Sequence, residues 1–139
     1  MKLIDDKAVH ITVSKQVGLR IISHIEKSEI IKEYSDNELV DVIVNWGIEE
    51  MTTLNKLSKF KNPLPSPITK NYDWPGLYKP FDHQQITSEF LSLNPKAFCF
   101  NEAGTGKTSS VLWSADYLMN LGLIKKVLVI CPLSIMHSA

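Results

Sequence analysis

The chain has 139 residues, 44% of them apolar, enough for a packed core and for one ordinary domain or a small domain plus part of another. Its 15 Lys and Arg balance its 15 Asp and Glu, so no net charge draws the whole molecule to nucleic acid. The longest apolar run, Val127 to Leu133, is too short to span a bilayer, and the Met1–Lys7 start is too charged for a signal-peptide core. Cys99 and Cys131 lie in apolar runs with no CxxC pair or histidine cluster. They are expected to be small buried thiols of a cytoplasmic protein with no membrane partner.

Lys7 to Ser14 alternates apolar and polar residues (Val9, Ile11, Val13), the pattern of a half-buried strand. Val17, Ile21, Ile22 and Ile25 then recur at helical spacing, and the spacing predicts a helix within Gln16–Ile31. Leu39, Val40, Val42, Ile43 and Val44 predict a β-branched strand over Glu38–Asn45, broken by Gly47. Ile48, Met51, Leu54 and Leu57 form one face of a helix over Ile48–Phe60. Glu49 and Glu50 suit the positive end of its dipole; they precede the glycine loop described below and are not metal ligands of it. Residues 1–60 therefore form a small α/β or α+β domain.

Pro63, Pro65 and Pro67 exclude a helix and predict an extended connector over 61–78, whose Tyr72 and Trp74 are packing residues. The next unit, 79–139, opens with a helix start. Asp82 is its expected cap, with Gln85 completing a capping box and Ile86, Phe90 and Leu91 as its apolar stripe. Asn94-Pro95 stops that helix. Ala97–Phe100 and Val127–Cys131 read as short buried strands, and Lys107–Leu121 as a helix between them with Val111, Leu112, Ala115, Leu118 and Met119 toward the core. Strand, glycine loop, helix and parallel strand would make one βαβ unit.

The loop in that unit, Glu102-Ala103-Gly104-Thr105-Gly106-Lys107-Thr108, carries the chemistry. Nucleotide phosphates need many donors in a small concave space, which glycines provide by letting backbone N–H groups converge. The helix that follows adds its positive end. Gly104, Thr105 and Gly106 would form the cradle, Lys107 would reach the β- and γ-phosphates, and Thr108 would hold Mg²⁺ through its hydroxyl. The strict phosphate-loop pattern wants glycine at position 101, which is Asn101 here; the shorter Gly-x-Gly-Lys-Thr form is intact.

Asn101 to Thr108 resembles motif I of superfamily-two helicases, above all the Snf-like translocases of phage type. Lys79-Pro80-Phe81-Asp82-His83-Gln84 resembles the adenine-reading Q motif that precedes it, and Val129-Ile130-Cys131-Pro132-Leu133-Ser134 resembles motif Ia, which touches a DNA strand. The resemblance covers a little over half of the chain. It implies a RecA-like parallel sheet, ATP and Mg²⁺ as ligands, and DNA, in double-stranded form, as partner, in the host cytoplasm if the gene is a phage's. Gln84 would read adenine with Phe81 or Tyr78 stacked on the base, Glu102 and Ala103 would complete the loop, and Pro132, Leu133 and Ser134 would contact DNA. His83 is a local hydrogen-bonding residue on this reading.

Hydrolysis also needs an acid for Mg²⁺ and an arginine for the transition state. No Asp or Glu follows Asp116, and Arg20 is the one arginine. The expectation is an incomplete motor, the truncated front end of one, that by itself binds nucleotide weakly or not at all and is inactive. Two alternatives stay open: a different P-loop NTPase or kinase, and a catalytically silent module whose 1–60 domain binds DNA or a protein.

Overall fold

The computed structural model describes residues 1–35, 38–58, 60, 64–77 and 79–133. The chain begins with β1 (Lys2–Ile4) and β2 (Ala8–Ser14), followed by α1 (Lys15–His24), β3 (Ser28–Tyr34), β4 (Leu39–Asn45) and α2 (Ile48–Leu57). The four strands form one antiparallel sheet in the order β1-β2-β4-β3.

The period-two pattern decides its faces. Val9 and Ile11 of β2 are buried together with Val40, Val42 and Val44 of β4, and α1 and α2 cover that face with Ile21, Ile25, Met51 and Leu54. Gly18 lets α1 lie close to β4, because a β-carbon there would stand 2.5 Å from Val40 Cγ2. On the opposite face Asp41 pairs across the strands with Thr12 and Lys32. Thr12 Oγ1 and Tyr34 Oη each donate to its carboxylate at 2.7 Å, and His10 Nε2 lies 3.5 Å away. A register shift between Ile30 and Lys32 turns Lys32 and Tyr34 onto this face.

The strands expected at Lys7–Ser14 and Glu38–Asn45 and the helix from Ile48 are present, with Gly47 as helix cap and Glu49 and Glu50 in the first turn. The helix expected within Gln16–Ile31 ends at His24, and its last part is strand β3. Ser28–Tyr34 is an edge strand with most side chains exposed, so it lacks the apolar alternation that marks a strand in sequence. β1 also pairs by backbone and carries no pattern of its own.

Residues 61–63 of the connector lie outside the described residues. Its remainder is not simply extended: Leu64, Ser66 and Pro67 are buried, and a single turn of helix, α3 (Ile68–Asn71), follows. Trp46 Nε1 donates to the Pro65 carbonyl at 2.9 Å. Leu64, Ile68 and Tyr72 extend the core of the sheet unit to Leu93 of α4 (Asp82–Leu93) and Tyr117 of α5 (Lys107–Asn120). Tyr72 and Trp74 do pack, as the sequence suggests.

The α4–α5 layer departs from expectation in three ways. First, the two helices meet through small polar faces. Ser88 Oγ donates to the Ser110 carbonyl at 3.1 Å, and Ser88, Ser92, Ser110 and Ser114 are buried. Second, most of the apolar residues assigned to the core turn outward, with Ile86 65%, Phe90 48%, Val111 42%, Leu112 53% and Met119 43% exposed, whereas Leu118 packs against the core as expected. Third, among the described residues neither Ala97–Phe100 nor Val127–Cys131 joins a sheet, so the expected parallel pairing is not formed. The physical reason is shared: strands and apolar helix faces need a covering layer, and here Phe98, Phe100, Leu128 and Ile130 are 83–90% exposed. For the same reason Cys99 is only half-buried and Cys131 is exposed. The fold shown is thus mixed α/β with an antiparallel sheet.

Candidate nucleotide-binding site

The glycine loop joins Phe100 to α5, and its shape follows from two left-handed glycines. Gly104 has φ +77° and Gly106 has φ +73°, values that L side chains rarely adopt. Gly106 occupies the cap position of α5 without any side-chain cap bond. The first N–H groups of α5 have no partner within the helix, so its positive end is open to an anion.

Lys107 is the first residue of that helix. Its Nζ donates to the carbonyls of Asn101 at 2.9 Å and Glu102 at 2.6 Å, which folds the ammonium across the loop. Thr105 Oγ1 donates to the Glu102 carbonyl at 2.8 Å and tightens the turn. Glu102, Ala103, Gly104 and Thr108 are exposed, leaving the Thr108 hydroxyl accessible one residue beyond Lys107.

The loop is moored to α4 and not to a sheet. Gln84 Nε2 donates to the Thr105 carbonyl at 3.3 Å, and His83 Nε2 lies 3.1 Å from the same oxygen. Asn101, which stands where the strict pattern has glycine, donates through Nδ2 to Thr87 Oγ1 at 2.9 Å. His83 is therefore the local hydrogen-bonding residue expected of it. The cap of α4 is Phe81, one residue earlier than the expected Asp82. Gln84 Oε1, not Gln85, reaches back to accept the Phe81 N–H at 3.0 Å. Gln85 instead donates to the Pro80 carbonyl at 3.3 Å. Phe81, with φ −68° and ψ 155°, is the last extended residue before the helix.

Beside the loop opens a cavity of about 570 Å³, lined by Gly76, Leu77, Lys79, Phe81, Gln84, Ser109 and Trp113. It brings together the two residues the sequence nominated for the base, Phe81 and Gln84, next to the start of α5. Phe81 is 69% exposed and stacks on the His83 ring with centroids 5.7 Å apart. Ser109 and Trp113 were not singled out by sequence; their only signal is the i, i+4 spacing on the helix behind Lys107. A larger cavity, about 1000 Å³, opens on the other face of α4 against Ile86, Phe90, Phe98 and Phe100. Its walls are the uncovered apolar residues described above.

Among the described residues no group of three or more His, Cys, Asp or Glu is arranged to hold a metal ion. A lone Thr108 hydroxyl fits an ion that arrives with nucleotide phosphates, the usual manner for Mg²⁺. Pro132 and Leu133, nominated for DNA, are exposed, Leu133 by 81%. Ser134 and Tyr78 lie outside the described residues. No described helix is long and apolar enough to cross a membrane. Comparison with protein-family models, with curated proteins and with solved structures found no match to this chain.

Proposed function

We propose that the chain binds ATP with Mg²⁺ and does so as part of a DNA-dependent ATPase of the Snf-like helicase type. The observation that carries this reading is the loop itself: two left-handed glycines, an uncapped α5 and the Lys107 ammonium converge beside a cavity that holds Gln84. Lys107 leaves its two carbonyl partners for the β- and γ-phosphates, a charge-assisted exchange that favours the ligand. Thr108 holds Mg²⁺, which neutralises phosphate charge when bound.

DNA enters this proposal through the order of the three motif-like segments, with Pro132, Leu133 and Ser134 as the strand contact. The finer fold, a RecA-like parallel sheet seeded by Ala97–Phe100 and Val127–Cys131, is supported by the exposed apolar faces of α4 and α5 and by the exposed side chains of both extended segments. A sheet laid against those faces would cover them.

Calorimetric titration of the chain with Mg·ATP tests the central claim. Wild type should bind, and Lys107→Ala should lose about tenfold or more, the usual worth of a charge-assisted bond. Equal binding by both proteins would remove the phosphate-loop reading.

A further inference from the structure

The cavity beside the loop contains a residue that the motif resemblance does not supply. Trp113 stands six residues after Lys107 on α5, about 9 Å along the helix axis, which is of the order of the separation between a nucleotide's phosphates and its base. Ser109 lies one turn before it on the same face, and both line the cavity with Phe81 and Gln84.

The indole is held from behind. Its Nε1 donates to the Pro75 carbonyl at 3.2 Å, and Trp74 meets its ring edge-on at 5.7 Å. Trp74 in turn meets Tyr72 at 5.3 Å, and Tyr72 meets Tyr117 in the core at 5.7 Å. Tyr72 Oη donates to Asp116 Oδ2 at 2.7 Å, which pins the segment to α5. Four rings thus run in edge contact from the core to the rim of the cavity. The turn beyond them carries Leu77 to the lip, 96% exposed. A rigid aromatic wall with a few polar groups is the make-up of a small-molecule site, and a ring already fixed loses little freedom on binding.

We propose that Trp113 is the wall on which the nucleobase rests, facing Phe81, and that it makes this site select nucleotides over bare polyphosphate. The proposal rests on the ATP-binding reading above and deepens it.

The test uses the 139-residue chain, Mg²⁺, and two probes: ATP and inorganic tripolyphosphate. Wild type should bind ATP about tenfold more tightly than tripolyphosphate, the usual worth of stacking one base on an aromatic ring. Trp113→Ala should bring that ratio close to one while leaving tripolyphosphate affinity unchanged. Trp113→Phe should keep most of the ratio. Tryptophan emission supplies a second readout, since Trp46 is buried and Trp74 sits behind Trp113. ATP should quench wild type more than tripolyphosphate does, and Trp113→Phe should lose that difference while still binding ATP. A ratio unchanged in Trp113→Ala, or loss of both ligands together in that variant, overturns the role of Trp113 and leaves the phosphate site standing. Binding of neither probe by wild type overturns the site as a whole.

Discussion

Gln84 donates through Nε2 to the carbonyl of Thr105 at 3.3 Å, tying the start of α4 to the middle of the glycine loop. Its Oε1 is engaged at the same time by the Phe81 N–H. A primary carboxamide has two N–H donors and two acceptor lone pairs, so one of each remains after these bonds. That remaining pair matches the N6 donor and N7 acceptor of adenine. Replacing Gln84 by Ala should therefore remove a preference for ATP over GTP of about tenfold, with the loss seen mainly in ATP affinity. Competition of each nucleotide against a fluorescent ATP analogue checks it; an unaltered preference would take adenine reading away from Gln84.

Gly106 matters in two ways. Its φ of +73° suits glycine, and a β-carbon there would push the flexible end of Gln84 off the Thr105 carbonyl. Gly106→Ala should lose ATP binding by at least about tenfold. Gly104→Ala meets the same backbone strain without the collision, because nothing lies within 4 Å of its β-position. Gly104→Ala should thus be the milder change of the two, and combining Gln84→Ala with Gly106→Ala should regain stability relative to Gly106→Ala alone. Titration calorimetry and thermal melts on the four proteins separate these effects.

Asp41 lends the sheet a pH dependence. Hydrogen bonds from Thr12 and then Tyr34, with the charge of His10, hold its carboxyl below the usual carboxylate range against the opposing effect of burial. The unfolded chain then binds this proton more readily than the native one, so the contribution is complete above the ordinary value of about 4 and fades as pH falls through the lower native value. Asp41→Asn should be less stable than wild type at pH 7, and the gap should close as the pH drops below about 4. Denaturant melts across that range give the answer, and a gap independent of pH would mean the carboxylate's charge is not what matters.

Glycine to alanine inside a helix usually stabilises, by about 1 kcal/mol. Gly18 should do the reverse. Its added methyl would press on Val40 Cγ2 at 2.5 Å, with Val42 Cγ2 at 3.5 Å behind it, and overpacking costs about 1–3 kcal/mol. A urea midpoint for Gly18→Ala below that of wild type is the expected result; a higher midpoint would show that α1 can shift away from β4 without loss.

What could be read from residue order alone was whatever a local pattern encodes. The alternation in Val9–Val13, the β-branched run of β4 and the Ile48–Leu57 stripe each carry their signal within a few residues and are where the sequence put them, and the Gly-x-Gly-Lys-Thr loop opens α5 as expected, though among the described residues no strand leads into it. Tertiary structure decided everything that depends on a distant partner. Strand β3 exists because β4 offers it a ladder, although Ser28–Tyr34 has little apolar alternation. Where α4 and α5 meet, the buried side chains are serines, because two helices that pack closely need small side chains at the contact, while most of their apolar stripes lack a covering layer. Gln84 was legible as a base-reading candidate, but its grip on Thr105 and the recruitment of Trp113 to the same cavity arise from chain segments 21 and 29 residues away from it, brought together by folding.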